Sequence, residues 1–208
     1  MVKVTGPMMS LSASGTLANT ATFAVWKGRP YVRNRVIPAN PKSSGQTGMR
    51  AMFRYLAQAW AGIGASPQGT WATRAAAKAV SSFNEFMSYN QLRFRDFKAP
   101  TIAYPEATTD VEAVAGVNTA AAGERTILLT QAITTANDGQ CVLFFRSSSA
   151  VFDTSWENLI AVKPISGTDD VVHIDGPLDP GTYYYNMRTA TDDGQLSNEI
   201  GEISETLP

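Results

Sequence analysis

The chain has 208 residues, 44% of them hydrophobic, which is enough apolar sequence for one large or two small folded domains. Its net charge of −1 conceals a strong asymmetry. Residues 1–100 contain thirteen Lys and Arg residues and only two acids, Glu85 and Asp96, for a net charge of +11, whereas residues 101–208 contain four basic and sixteen acidic residues, for −12. The asymmetry predicts that the N-terminal half meets an acidic partner and that the C-terminal half stays solvated. It also favours head-to-tail self-association, so we expect a homo-oligomer.

The residue types that most enzymes and metal sites need are scarce. A single cysteine, Cys141, excludes an intramolecular disulfide and a multi-cysteine zinc site, and it opens an apolar strand as a buried small hydrophobe. The only histidine, His173, lies in a predicted strand without a nucleophile beside it, which indicates a structural residue. The acid pairs Asp169–Asp170 and Asp192–Asp193 fall in predicted turns and belong to no spaced calcium loop. We therefore predict a non-enzymatic protein without catalytic residues, cofactor or metal.

Neither end of the sequence nor its middle predicts a membrane segment. The N-terminus lacks the apolar core of a signal peptide, and no run of about 18 apolar residues occurs. We expect a soluble protein that is made in the cytoplasm and has no membrane partner.

A basic hairpin follows an N-terminal arm. Residues 1–21 are rich in Ser, Thr, Gly and Ala, and we expect them to become ordered on contact with a partner. Two strands then flank a predicted loop at residues 27–30. Pro38, Asn40 and Pro41 predict an extended connection to the first helix. Six residues of the hairpin form the predicted partner-binding ribbon: Trp26, Lys27, Arg29, Tyr31, Arg33 and Arg35.

Three kinds of surface are compatible with this ribbon. An acidic protein partner is favoured, because the adjoining arm and extended connection offer apolar and strand-adding surface that DNA does not need. Nucleic acid would use the same cations for phosphates and the aromatic rings for stacking, but this interpretation is disfavoured. A plain solvated face is the third alternative.

Three amphipathic helices are predicted after the connection. The first runs from about Ser44 to Ile63, the second from Pro67 to Ala79 after an N-capping Ser66, and the third begins at Ser82, which forms a capping box with Glu85. The predicted buried stripes are Met49, Met52, Phe53, Leu56, Trp60 and Ile63 in the first helix, Trp71 in the second, and Phe83, Phe86, Met87, Asn90, Phe94 and Phe97 in the third.

The N-terminal half resembles a family of small proteins of tailed bacteriophages. The pattern is W-K-G-x-P from Trp26 to Pro30, a Pro-Ala-Asn-Pro arm, R-x-x-F from Arg50 to Phe53, and a pair of Trp-bearing helices in "AQAW" and "TWATRAAA" followed by "SSFNEFMSYN". The resemblance implies a structural protein of the virion and provides no catalytic residues.

A second domain is predicted after a boundary at residues 98–105, so that residues 1–99 form a basic α+β attachment domain and residues 100–208 an acidic all-β sandwich. Turn signals separate seven predicted strands. Their ranges are 111–117, 126–133, 141–146, 159–162, 171–174, 182–190 and 199–206.

The closing stretch "LDPGTYYYNMRTATDDGQLSNEIGEISETLP" resembles the corner and last hairpin of fibronectin type III and immunoglobulin-like domains. The resemblance implies a structural tyrosine corner made by Leu178, Pro180, Gly181 and either Tyr183 or Tyr184. The sequence departs from that family near Thr126, where the tryptophan common in the family is missing.

Together these patterns predict a virion structural protein whose partners are other virion proteins. A capsid decoration or cement protein is preferred, because a basic anchor followed by an acidic display module suits a shell-bound protein. A neck, tail or fibre-attachment component is the first alternative, and a carbohydrate-binding accessory protein is the second.

Overall fold

The computed structural model describes residues 2–3, 15–17, 20–37, 39–40, 42–106, 118–133, 140–191, 194–199 and 201–208. It contains three helices and three antiparallel sheets in this described part, and it divides into two compact units, residues 1–41 and 42–208. Several predicted features lie outside the described residues: most of the N-terminal arm, Pro38, Pro41, the strand at 111–117, the turn at 137–139 and the pair Asp192–Asp193. None of the helices in these described ranges is long and apolar enough to cross a membrane.

The N-terminal unit is a four-stranded antiparallel sheet in the order β1-β4-β3-β2. Its strands are β1 Val2–Lys3, β2 Gly15–Leu17, β3 Ala21–Trp26 and β4 Arg29–Asn34. Lys27 and Gly28 connect β3 to β4 with φ angles of 48° and 74°. Two central residues with positive φ are the requirement of a type I′ hairpin turn, which glycine satisfies without strain. The turn is therefore shorter than the predicted loop at 27–30, and Arg29 and Pro30 belong to β4.

Three helices open the second unit: α1 Ser44–Gly62, α2 Ala65–Ala76 and α3 Ser82–Arg95. Their positions agree with the apolar periodicity, with two corrections at the helix starts. Helix α2 begins before Pro67, with Gly64 in place of Ser66 at the N-cap. The cap of α3 is Ser81, whose hydroxyl accepts a hydrogen bond from the Asn84 backbone N–H, and not Ser82.

The predicted buried stripes are correct at their centres. Met52, Leu56, Trp71, Phe86 and Phe94 are all buried. Two of the predicted core aromatics, Phe53 and Phe97, are instead 52% and 58% exposed. In α1, Tyr55 is buried where Phe53 was expected, because the contact face includes Gly48, Met52 and Tyr55.

The rest of the second unit is a sandwich of two antiparallel sheets. The three-stranded sheet has the order β5-β6-β9, and the four-stranded sheet has the order β11-β10-β7-β8. The strands are β5 Asn118–Ala122, β6 Ile127–Gln131, β7 Cys141–Ser147, β8 Leu159–Pro164, β9 Val171–Asp175, β10 Gly181–Ala190 and β11 Ile203–Leu207. Six of these strands overlap the predicted ranges, and β5 begins just after the predicted 111–117.

Strand β7 is buried on both of its faces. Val142 and Phe144 belong to the core between the two sheets, whereas Cys141, Leu143 and Phe145 belong to a core shared with the helices. Buried helix residues complete the second core. Successive side chains of a strand point to opposite faces, so the continuous run Cys-Val-Leu-Phe-Phe indicates layers on both sides. The second unit therefore has three layers: helices, the four-stranded sheet and the three-stranded sheet.

This arrangement does not place a domain boundary at residues 99/100. The predicted linker is attached to the helices: Asn90 exchanges side-chain hydrogen bonds with the Thr101 backbone at 3.0 and 2.8 Å, and the Trp71 indole N–H donates to the Ile102 carbonyl at 2.8 Å. Arg93, which is 8% exposed, donates to Ala99 O and to Gly194 O in the loop after β10. Since the helices and the sandwich bury apolar residues in one cluster, the division falls at 41/42 instead.

Candidate functional site

The strand register of the N-terminal sheet places four of the six predicted partner-binding residues on one face. Trp26 pairs with Arg29, Ala24 with Tyr31 and Thr22 with Arg33. Because side chains alternate along each strand, Trp26, Arg29, Tyr31 and Arg33 share a face. Trp26 is 63% exposed, and both arginines are exposed. The structure thus assembles a cation–aromatic face, which we define as Trp26, Arg29, Tyr31 and Arg33.

The other two ribbon residues lie at its ends. Lys27 occupies the turn, and its ammonium group lies 4.9 Å from the centre of the Trp26 ring, within the range of a cation–π contact. Arg35 follows the last residue of β4, and its backbone N–H donates to the Thr20 carbonyl at 2.8 Å. The predicted ribbon therefore consists of one face of the β3–β4 hairpin, with Lys27 in the turn at one end. Arg35 lies just beyond the last residue of β4 at the other end.

The opposite face of the same sheet is apolar. The register pairs Phe23 with Val32 and Val25 with Pro30 on this side. Val25 is 55% exposed, and none of the residues 15–16, 20–37 and 39–40 is buried. A sheet of this kind obtains its cohesion from backbone pairing and leaves apolar area available to a partner.

One edge of the sheet is incompletely paired. Strand β1 contacts only Tyr31 and Val32 of β4, so the remaining length of that edge has no paired strand among the described residues. An edge of this kind can accept an extended strand from another protein, while exposed cations favour a partner with carboxylates. The N-terminal unit therefore offers three means of binding: backbone pairing, apolar contact and charge.

The predicted tyrosine corner lies in the sandwich. The Tyr183 hydroxyl donates to the Asp179 carbonyl at 2.9 Å, and Leu178 is buried while its N–H donates to the Arg125 carbonyl. Asp179 and Pro180 connect Leu178 to β10, and Gly181 is the first residue of that strand. Of the two candidate corner residues, Tyr183 is therefore the one that makes the corner hydrogen bond, since the Tyr184 side chain points to the other face of β10.

A polar cluster that the sequence did not reveal lies near this corner. Arg146 donates from one nitrogen to both Asp175 oxygens at 2.9 Å, and the Tyr185 hydroxyl donates to Asp175 at 2.9 Å. Burial, with a contribution from Asp175, raises the pKa of the Tyr185 phenol. His173 contacts Phe144, and burial lowers its pKa below the ordinary value. These residues join β7, β9 and β10 and stabilise the sandwich.

A second cluster fixes α2 to α3. Arg74 and Lys78 each donate to the buried carboxylate of Glu85 at 2.6 Å, and the Arg74 guanidinium carbon lies 4.5 and 4.4 Å from the ring centres of Tyr89 and Tyr104. Burial by itself would raise the pKa of Glu85, but the hydrogen bonds from Lys78 and Arg74 outweigh it and lower the pKa. The sequence contained one indication of this ion-pair cluster, because Glu85 is the only acidic residue among the first 95 residues.

In the described ranges, no group of three or more His, Cys, Asp or Glu side chains could hold a metal ion. Cys141 is buried, as predicted, and Asp169 and Asp170 are exposed in the turn before β9.

No family model matches the chain, and no curated protein sequence matches it. Among the solved structures that resemble it, two each match about half of the chain. The β-1,2-glucanase from Parabacteroides distasonis is 16% identical over 49% of this chain and 13% of that chain, with a TM-score of 0.38. The PKD domain of an M14-like peptidase from Thermoplasmatales archaeon SCGC AB-540-F20 is 16% identical over 49% of this chain and 99% of that chain, with a TM-score of 0.32. At these TM-scores neither match carries an argument about activity.

Proposed function

We propose that this chain is a non-enzymatic structural protein of a tailed-bacteriophage virion, a capsid decoration protein that attaches through its N-terminal sheet to another virion protein with an acidic surface. One observation supports the attachment: the N-terminal sheet has a cation–aromatic face and an apolar face, and strands β3 and β4 contain no buried side chain. The virion part rests on the phage-like pattern around Trp26–Phe53. In this proposal the second unit, with its fibronectin-like sandwich, is the displayed module.

The energetics assign different roles to the parts of the attachment surface. Each exposed cation of the ribbon contributes only about 0.2–1 kcal/mol to binding, since solvent screens its ion pairs. Apolar contact through Phe23, Val25 and Val32, with backbone pairing at the sheet edge, supplies most of the affinity. The charges mainly set the rate of approach and the register.

The test adds purified protein to phage particles that lack it and measures bound copies as a function of ionic strength. Replacing Arg33 by Glu is expected to slow binding and make it strongly salt-dependent. The matched control is Arg54→Glu, which makes the same charge change at an exposed position of α1. Deleting residues 1–21 removes β1, β2 and the first residue of β3, and it is expected to abolish binding because the two-stranded hairpin that remains is only marginally stable by itself.

Three results would contradict the proposal. Full binding by the deleted protein would refute attachment through the sheet, and equal loss in the Arg33 and Arg54 variants would reduce the effect to net charge. Binding that follows added DNA would point to nucleic acid instead of an acidic protein. The number of copies per particle then separates a decoration protein, present in many copies on the head, from a neck or tail component, present in few.

A further inference from the structure

A cavity of about 490 Å³ lies in the second unit, where the end of α3 meets the loop after β10. Residues 97–99 and 194–196 form two of its walls, and Arg93, Glu106 and Arg188 complete it. Binding pockets for small molecules range over about 300–1,000 Å³. The cavity therefore has the size of a small-molecule site.

The charged groups of the cavity are unevenly paired. Arg93 and Glu106 neutralise each other, since Nη1 of Arg93 donates to Oε1 of Glu106 at 2.7 Å. By contrast, neither Lys98 nor Arg188 forms an ion pair within the described ranges, which leave out residues 192–193. The cavity therefore presents two cations without a carboxylate partner in the described part of the chain.

Arg188 is the better placed of these two cations to bind a ligand. It is half-buried, and its Nε and Nη1 donate to the Ser197 carbonyl and the Thr154 hydroxyl at 2.7 and 3.0 Å, which hold the side chain in place. Burial lowers the pKa of Arg188, and the charge of Glu199 offsets only part of that effect. A guanidinium group that has lost water without gaining a carboxylate is suited to an oxyanion, which it can bind through two parallel N–H groups.

One wall of the cavity is apolar. Phe97 is 58% exposed, although its place in the α3 pattern predicted a buried residue. Its φ angle of 59° is in the left-handed region, which bulky residues rarely occupy. Leu196 lies beside it in the same lining. An exposed aromatic ring next to two cations provides a surface on which a second ring can stack.

We propose that this cavity binds a small molecule in which a phosphate or carboxylate group is attached to an aromatic ring. Arg188 and Lys98 bind the oxyanion, and the ring packs on Phe97 and Leu196. A cationic ligand would be repelled by the two unpaired cations, and a neutral one would leave them without a counter-charge. The site does not depend on attachment through the N-terminal sheet.

The experiment follows the backbone amide signals of the full-length protein by NMR at physiological ionic strength, so that weak contacts with exposed cations are screened. The probes are phenyl phosphate, benzoate, methyl phosphate, which lacks the ring, and phenol, which lacks the charge. We expect phenyl phosphate and benzoate to shift the signals of residues 97–99 and 194–196 with a Kd on the order of 1 mM, as suits ligands of about ten heavy atoms. Methyl phosphate should bind at least about five-fold more weakly, and phenol should not shift these signals.

Three variants test the roles of the side chains. Arg188→Gln is expected to weaken phenyl phosphate binding at least about ten-fold, and Lys98→Gln, at an exposed position, about three-fold. Phe97→Ala should lower the affinity for phenyl phosphate to that for methyl phosphate and leave methyl phosphate binding unchanged. A thermal melt checks folding, and Lys98 and Phe97, which are both exposed, carry the test if the Arg188 variant is unfolded.

The matched controls make the same changes outside the cavity. Lys163→Gln removes an exposed cation of β8, and Phe53→Ala removes a ring that is 52% exposed on α1; both variants should bind as the wild type does. If neither phenyl phosphate nor benzoate shifts the signals of the cavity, the proposal is refuted. Equal weakening by Lys98→Gln and Lys163→Gln would also refute it, since binding would then follow net charge, as would phenol binding as tightly as phenyl phosphate.

Discussion

Replacing Gly48 by Ala tests whether the helices and the sandwich share one core. Gly48 lies in the buried face of α1, and a Cβ atom there would overlap the Trp156 carbonyl oxygen and come within 3.3 Å of Leu159. Backbone atoms cannot turn aside as a flexible side chain can, so α1 would have to move away from β8. Gly69, in the exposed part of α2, has no atom within 4 Å of such a Cβ.

The two positions give opposite expectations for the same substitution. In a helix interior, Gly→Ala stabilises by about 1 kcal/mol through helix propensity alone, and we expect that gain at Gly69. At Gly48 the overlap costs up to about 3 kcal/mol, as overpacking of a well-packed core does. The net loss at Gly48 is then about 2 kcal/mol, equivalent to a fall of about 4–8 °C in Tm for a unit of this size.

The assay is thermal and urea unfolding of both variants and the wild type. A Gly48→Ala protein as stable as the wild type, or more stable, would show that α1 does not lie on β8. The common core of helices and sandwich would then be refuted, and the division at 99/100 that the sequence suggests would regain support.

Three further predictions follow from the same core and corner. Tyr183→Phe should destabilise by about 0.5–1.5 kcal/mol in a urea melt because the Asp179 carbonyl loses its donor, whereas Tyr184→Phe should have little effect; equal effects would contradict the corner. A fragment of residues 101–208 should aggregate or remain unfolded, because the helix-facing side of β7 would be exposed; a soluble, cooperatively melting fragment would show that the sandwich folds alone. Burial lowers the pKa of His173 below its ordinary 6.5, so the unfolded chain takes up a proton first as the pH falls. Stability should therefore decline from about pH 6.5 downward through the folded-state pKa, and His173→Gln should flatten the decline, since the chain has no other histidine.

The sequence by itself located most of the secondary structure, because apolar periodicity is a local signal. It predicted three helices within a few residues of their bounds and six of the described sandwich strands, and it identified the hairpin whose face carries Trp26, Arg29, Tyr31 and Arg33. It also narrowed the corner to two tyrosines. Each of these features depends on residues that are close together in the chain.

What covers each apolar face was decided only by the tertiary structure. The continuous apolar run from Cys141 to Phe145 indicates a strand buried on both faces, but nothing local shows that helices are what cover Leu143 and Phe145. Likewise the basic and acidic halves suggested two domains, whereas Arg93 joins α3 to Gly194, 101 residues later in the chain. A periodic pattern fixes which side of an element must be buried, but the partner that buries it is set by contacts between residues far apart in sequence, which no local pattern contains.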